Sequence, residues 1–421
     1  MHDFDPRVSI AYRPWSDKTV VRAGFGIFTM TTLGPMSFNN AMVGVSDLVS
    51  YANPYPVTGA IFQFPDATPL NAAIQYGGGA FEEANNPYWK DATSAQWNLT
   101  VERAVTPNTT VRFSYVGQGT WHLPITIDLN QVPPSKTPYS QSEAPYPQFD
   151  LLMSSESIGN ATYEAGIAEV QHKFSHGLTF QANYTYAKNI SDAQGSDAPN
   201  GFAGEEPYAV EIANHFDLPY DRGNVAGTPR QRFLLTGTYE LPYGSGRHWS
   251  GGNVLNGILG GWNFSTVLTA QTGQWLTPIM NAASDQSNTN IVVRNEEGSA
   301  QARPDCVGNP VPANQTRADF FSYSAFAFPP ADAGRFGTCG LGILEGPRLV
   351  NMNAELAKNF ALTERFRLRF EASFTNLFNH SNFTPPALNI SNPSSFGVLT
   401  SVLPQGNGGN RTGQLAARLD F

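Results

Sequence analysis

Residues 365–379 read RFRLRFEASFTNLFN. Phe366, Leu368, Phe370, Ala372 and Phe374 take every second position, and Phe378 follows after a break at Asn376. Between them stand Arg365, Arg367, Arg369, Glu371, Ser373 and Thr375. A period of two over this length describes a β-strand with one apolar and one polar face. Strands of soluble sheets usually run about 5–6 residues. A strand that crosses a bilayer needs about 9–11, with lipid on one face and a polar lumen on the other. The stretch has the second length, and its polar face is charged. Taken alone it fits a strand of an outer-membrane barrel or one long strand of a soluble sandwich.

The same alternation marks residues 7–13, 19–28, 94–103, 110–116, 163–174, 178–188, 230–241, 262–272, 351–360 and 413–421. The cleanest sets Leu178, Phe180, Ala182, Tyr184 and Tyr186 against Thr179, Gln181, Asn183 and Thr185. Short connections at 14–18, 104–109, 175–177, 242–261 and 361–364 take turns with long ones at 29–91, 117–160, 189–228, 273–350 and 380–412. The loop 29–91 carries the flexible run Gly77-Gly78-Gly79. A soluble sandwich has no reason to put every long loop at one end. An outer-membrane barrel does, with short periplasmic turns and long external loops. The spacing therefore predicts an all-β, antiparallel transmembrane barrel with 11 strands in this chain. Its last strand ends on Phe421 behind Leu415, Ala417 and Leu419, the pattern bacterial barrels present to their assembly machinery.

An odd strand count is awkward, because bacterial single-chain barrels have even numbers. An open sheet would leave unpaired N–H and C=O groups in lipid at several kcal/mol each. Eleven further strands upstream would make about twenty-two, the size of transporters whose lumen holds a separate plug.

Composition agrees with this reading. Charged residues make up only 14% of the 421, aromatics 12%, and there are 39 Gly and 31 Pro, as in a turn-rich all-β chain. A net charge of −9 argues against a nucleic-acid partner. No apolar run approaches the roughly 18 residues of a membrane helix. The mean hydropathy of −0.28 suits strands whose two faces average out. Met1-His2-Asp3-Phe4-Asp5 has neither the basic start nor the apolar segment of a signal peptide. Since a barrel must be exported, a signal sequence upstream of Met1 is expected. Cys306 and Cys339 are expected to pair in an exported protein, two free thiols being the other reading.

Several stretches resemble the barrel of TonB-dependent outer-membrane receptors, in particular the Oar-like group common in Acidobacteria. They are Pro6-Arg7-Val8 with Lys18-Thr19-Val20-Val21-Arg22-Ala23-Gly24-Phe25-Gly26-Ile27-Phe28, then Gln96-Trp97-Asn98-Leu99-Thr100-Val101-Glu102-Arg103 and Phe174-Ser175-His176-Gly177-Leu178. Further on stand Asp221-Arg222-Gly223 with Arg230 and Arg232-Phe233, and Tyr239-Glu240-Leu241-Pro242-Tyr243-Gly244. Lys358-Asn359-Phe360 and Phe374-Thr375-Asn376-Leu377-Phe378-Asn379-His380 complete the set. The resemblance implies that residues 1–421 are part of a receptor barrel domain, without the signal peptide, plug and N-terminal half of the barrel. It implies a place in the cell outer membrane of a Gram-negative-type bacterium. It also implies import of a bulky substrate, carbohydrate or other, driven by TonB acting on the plug. Two other functions stay open: a surface adhesin or soluble secreted β-rich carbohydrate-binding protein, and a passive porin-like channel.

Arg232, Glu240, Arg367, Arg369 and Glu371 are the candidates for the lumen lining, either touching plug or substrate or pairing across strands on a solvated wall. Asp221 and Arg222 read as a salt-bridged loop anchor. His176 and His380 read as surface residues. The oxygen-rich stretch from Asp285 to Asn290 lacks EF-hand spacing. Without GxSxG, HExxH or a phosphate-binding loop, neither an enzyme nor a cofactor is expected.

Overall fold

The structure is a computed structural model that describes residues 4–14, 16–30, 81–147, 151–193, 210–244, 247–290, 302–361 and 366–420. Eleven long strands build one sheet: β1 Arg7–Tyr12, β2 Thr19–Met30, β3 Ala92–Thr106, β4 Thr109–Asp128, β5 Leu151–Ser175, β6 Leu178–Ser191, β7 Gln231–Glu240, β8 Trp262–Gln271, β9 Leu349–Ala361, β10 Arg367–Thr375 and β11 Thr412–Asp420. Each pairs antiparallel with its sequence neighbours, so spatial order equals chain order. Among the described residues β1 and β11 are each paired on one side only, and the sheet is open. Arg365, Phe421 and the run Gly77-Gly78-Gly79 lie outside the described residues.

The strands pair in phase, so each face keeps its chemistry from strand to strand. One row runs Tyr12–Val21–Val101–Phe113–Ala168–Tyr184–Phe233–Ala270–Val350, apolar in every strand from β1 to β9. A second runs Leu178–Tyr239–Phe264–Leu356–Ala372–Leu415. A slip of one residue would turn every such side chain to the other face, and this sets the register firmly. Phe25, Leu99, Phe113, Tyr184, Leu356 and Phe370 are all exposed on that face. Side chains of this kind in rows across the sheet suit lipid, not water.

Two connections at the short end show how the chain turns there. His176 and Gly177 both have positive φ, 51° and 84°, as a two-residue hairpin loop requires. A Cβ on Gly177 would also stand 2.7 Å from the carbonyl oxygen of Glu240. The 242–261 connection folds a helix, α1 (Asn253–Leu259), that its Gly content had concealed.

The connection expected as a loop over residues 117–160 is sheet at both ends, over 117–128 and 151–160. β4 and β5 run 20 and 25 residues, twice what a bilayer needs, so their hairpin projects past it on the long-loop side. Alternation fails there because the register shifts at Trp121/Leu123 and again at Leu123/Ile125, with His122 at φ 62°. Parallel additions by Phe81–Asn85 and Val210–Glu211 flank the projecting ends of β5 and β4.

At this same end the loops share a core of their own. Ala213 comes from the loop 192–230, Leu276, Met280, Phe321, Phe326, Phe336 and Leu344 from 272–348, and Leu388, Ile390 and Phe396 from 376–411. Tyr220 and Phe320 pack against it. Main-chain bonds tie the loops further, with Ile279 N donating to Leu388 O at 2.9 Å and Ile390 N to Ile279 O at 2.8 Å. The result is a folded cap over the wall.

Candidate functional site: the loop cap and the polar face of the wall

The cap is fastened by a buried ion pair. Arg303 Nη2 donates to Asp221 Oδ1 at 2.8 Å, with the side chains 1% and 8% exposed. Asp221 Oδ2 accepts the backbone N–H groups of Ala213 at 2.8 Å and Asn214 at 3.2 Å. The guanidinium lies 3.7 Å from the centre of the Tyr220 ring. Burial pushes the Asp221 carboxyl up, while Arg303 and the two N–H donors pull it down. Burial pushes the Tyr220 hydroxyl up to about 12 against the pull of Arg303. A buried charge survives only when paired and hydrogen-bonded, and here both conditions are met. Arg222 reaches Asp192 at 3.5 Å, and a Cβ on Gly223 would collide with Leu341 O at 2.2 Å. Asp221-Arg222-Gly223 is thus an anchor: Asp221 pairs with another loop, Arg222 with the start of its own, and the glycine lets two chains touch.

Cys306 and Cys339 form a disulfide within the cap, with Cα atoms 5.0 Å apart. Beside it, Asp305 takes Arg335 in a two-pronged pair at 2.7 and 2.8 Å, and accepts Thr338 N at 2.9 Å. These hydrogen bonds hold the Asp305 carboxyl below the usual carboxylate range, led by that from Arg335.

The Phe374–His380 stretch makes the second fastening. β10 stops where Asn376 takes φ 46°, and the Asn379 φ is 52°. Asn376 is buried, yet fully bonded: Nδ2 donates to His380 O at 2.8 Å and Gly409 O at 2.7 Å, and Oδ1 accepts His380 N at 2.9 Å. Asn tolerates left-handed backbone while its amide replaces missing main-chain partners. Asn382, also buried, bonds Val350 in both directions at 2.8 and 2.9 Å and Gly408 O at 2.7 Å.

The polar face carries linked charges across neighbouring strands. Arg22 meets Glu102 at 3.3 Å, Glu102 meets Arg112 at 3.6 Å, and Arg112 meets Glu169 at 2.7 Å. Arg369 pairs with Glu355 at 3.1 Å and with Glu371, and Glu240 with Arg247 at 2.6 Å. Arg232 and Arg367 share this face but form no ion pair among the described residues. Over β7–β11 the face holds a recess of about 700 Å³ whose lining includes Thr238, Ser265, Glu355, Ser373, Gln405 and Gln414. Hydroxyls and amides share it with Val267, Ala354 and Phe374, so it offers hydrogen bonds beside an apolar surface.

No group of three or more His, Cys, Asp or Glu able to hold a metal occurs among the described residues. Asp285 accepts bonds from its own neighbour Ser287 through both N and Oγ, a local contact that occupies one carboxylate oxygen. His176 Nδ1 meets Ser175 Oγ at 2.9 Å and His380 Nδ1 meets Asn382 Oδ1 at 3.0 Å, both local contacts. What sequence reasoning missed is Arg303, Asn382 and the core around Phe321. None sits in a periodic segment, and their partners are far along the chain.

An apolar band on one face, paired charges on the other and long loops at one end define a transmembrane β-barrel wall. A family model described as outer membrane beta barrel domain matches residues 1–414. The chain belongs to that family, and its place is the outer membrane. No curated protein matches the sequence. Among solved structures, the outer membrane transporter YddB from Escherichia coli is similar at TM-score 0.48 and 8% identity, over 96% of this chain and 38% of that one. The ferripyoverdine receptor of the outer membrane of Pseudomonas aeruginosa gives TM-score 0.45 and 10% identity, over 100% and 33%. The siderophore receptor PiuA from Acinetobacter baumannii gives 0.43 and 8%, over 98% and 35%. The chain spans between 33% and 38% of the length of these three structures.

Proposed function

We propose that the chain is half of the wall, with its external cap, of a 22-stranded TonB-dependent outer-membrane receptor of the Oar-like kind. The parent protein would bind a bulky substrate at the cap, carbohydrate being one candidate, and import it under TonB action on a plug. The observation that carries this reading is the open sheet: β1 and β11 each lack a second partner among the described residues. In hydrocarbon such edges are costly at every unpaired group, so a wall of this kind calls for further strands. A wall that wide needs a plug to close it. The charged polar face supports a wet interior, and the hydroxyl-lined recess supports a polar ligand.

The test is genetic and biochemical. The protein should leave the outer membrane only with detergent. Deleting its gene and deleting tonB should abolish uptake of the same substrate, with the double deletion no worse than either. Uptake that persists without TonB would leave the porin-like reading. Recovery in the soluble fraction would leave the secreted binding protein.

A further inference from the structure

Helix α1 lies in the connection between β7 and β8, at the end of the wall opposite the cap. Its sequence is Asn253-Val254-Leu255-Asn256-Gly257-Ile258-Leu259. Val254 and Ile258, and Leu255 and Leu259, stand four residues apart, so the four form one stripe along the helix. That stripe points outward: Val254 is 75% exposed and Ile258 58%, with Leu255 and Leu259 exposed beside them. Trp249, in the same connection, is 58% exposed. Asn256 turns the other way and closes on Gly251, accepting its N–H at 2.8 Å and donating to its carbonyl at 2.9 Å.

The wall holds this helix firmly, and on a definite side. Lys358 belongs to the apolar face of β9, level with Trp262 in β8 and Phe370 in β10. A lysine there is unexpected, yet it is only 3% exposed. Its Nζ donates to Gly257 O at 2.8 Å and to Ile258 O. Trp262 Nε1 donates to Ile258 O at 3.0 Å. These carbonyls belong to the last turn of α1, where no intrahelical donor remains and a cation also meets the negative end of the helix dipole. The ammonium stands 5.0 Å from the Trp262 ring centre and 4.7 Å from that of Phe360. Lys358 therefore serves as the C-terminal cap of α1 and keeps it against the lipid-facing side of the wall.

We propose that α1 and Trp249 lie in the boundary between headgroups and acyl chains of the periplasmic leaflet, as an interfacial anchor whose partner is the phospholipid bilayer. The proposal rests on reading the wall as membrane-spanning with its short turns in the periplasm. Continuity decides for lipid over a protein partner. The helix end is bonded by Trp262 and Lys358, which stand in the lipid-facing rows next to Phe264 and Leu356, and tryptophan favours this depth of a membrane. Burying such an apolar stripe in that plane removes it from water while the polar side of the helix stays hydrated.

Single cysteines at Val254→Cys, Ile258→Cys and, as a reference within the wall, Leu356→Cys would carry a nitroxide label in the full chain in outer membranes. Accessibility to oxygen and to a water-soluble nickel chelate is then read by power saturation. The expected result is several-fold greater access for oxygen than for nickel at all three, with Leu356 the deepest. Nickel access at Ile258 with Leu356 in lipid would overturn the anchor and leave the wall intact. Nickel access at Leu356 would overturn the wall itself. An immobile Ile258 label closed to both reagents would indicate a protein partner and also overturn the anchor. Replacing Lys358→Met should free the motion of the Ile258 label and leave that at Leu356 unchanged.

Discussion

Leu356 in the wall and Leu344 in the cap are the same residue in opposite situations. Leu356 is exposed on the apolar face of the sheet, and Leu344 is wholly buried among Phe326, Phe336 and Met280. The wall keeps no water-excluded interior between its faces. Its coherence comes from the hydrogen-bond ladder of eleven strands and from lipid taking the apolar side. The cap behaves as a small soluble domain, with a packed core, a disulfide, a buried ion pair and buried asparagines whose amides are bonded. One chain thus obeys two solvents, and a substitution should damage only the part whose solvent it offends.

The sharpest break falls on the cap. Arg303→Met leaves the Asp221 carboxylate buried and uncompensated, a loss of about 3–5 kcal/mol. Hydrogen exchange at the bonded amides of Met280 and Ile390 should report it, while those of β7 stay protected. Adding Asp221→Asn should restore part of the loss, because it removes the buried charge while its amide oxygen still accepts the N–H groups of Ala213 and Asn214. The reciprocal experiment offends the lipid. Leu356→Arg on the outer face, two residues in from Lys358, should cost about 1–2 kcal/mol, between the values for the interface and for the midplane. It should lower the denaturant midpoint of the wall and spare exchange in the cap.

Acid should loosen the cap by a smaller step. The Asp305 carboxyl is held below its ordinary value by Arg335, so the folded state favours the charged form. That contribution is fully present above about pH 4, the unfolded value, and is lost as pH falls through the lower folded value. Proteolysis around residues 302–340 should therefore rise below about pH 4, and the Asp305→Asn variant should abolish this dependence. The smallest effect is expected on the polar wall. Arg112 is 40% exposed between Glu102 and Glu169. Arg112→Ala should cost no more than about 1 kcal/mol, and less at high salt.

The two regions were also unequally legible in the sequence. Every wall strand was visible, because lipid outside and water inside force each side chain to choose a face. Leu178–Tyr186 and Arg367–Thr375 show that choice residue by residue. The projecting β4–β5 hairpin was not visible beyond Val116, since register shifts around Leu123 and the proline at 124 break the alternation. The cap was legible only in fragments. Asp221 stood out as an anchor, but its partner Arg303 lies 82 residues away in a segment without period. The Phe374–His380 stretch is marked in the sequence only by its resemblance, and the structure shows Asn376 replacing the main-chain partners that the strand loses. Helix α1 escaped because seven residues with a central glycine carry too little pattern.

The cap core draws Tyr220, Phe321 and Phe396 from three separate loops. It cannot assemble until all three segments have crossed to the same side of the bilayer. Once Arg303 finds Asp221 there and the cysteines join, the hairpins that carry those loops are tied together from outside. Retreat of any one strand pair would then require the others to let go, so the external loops act as a latch on insertion.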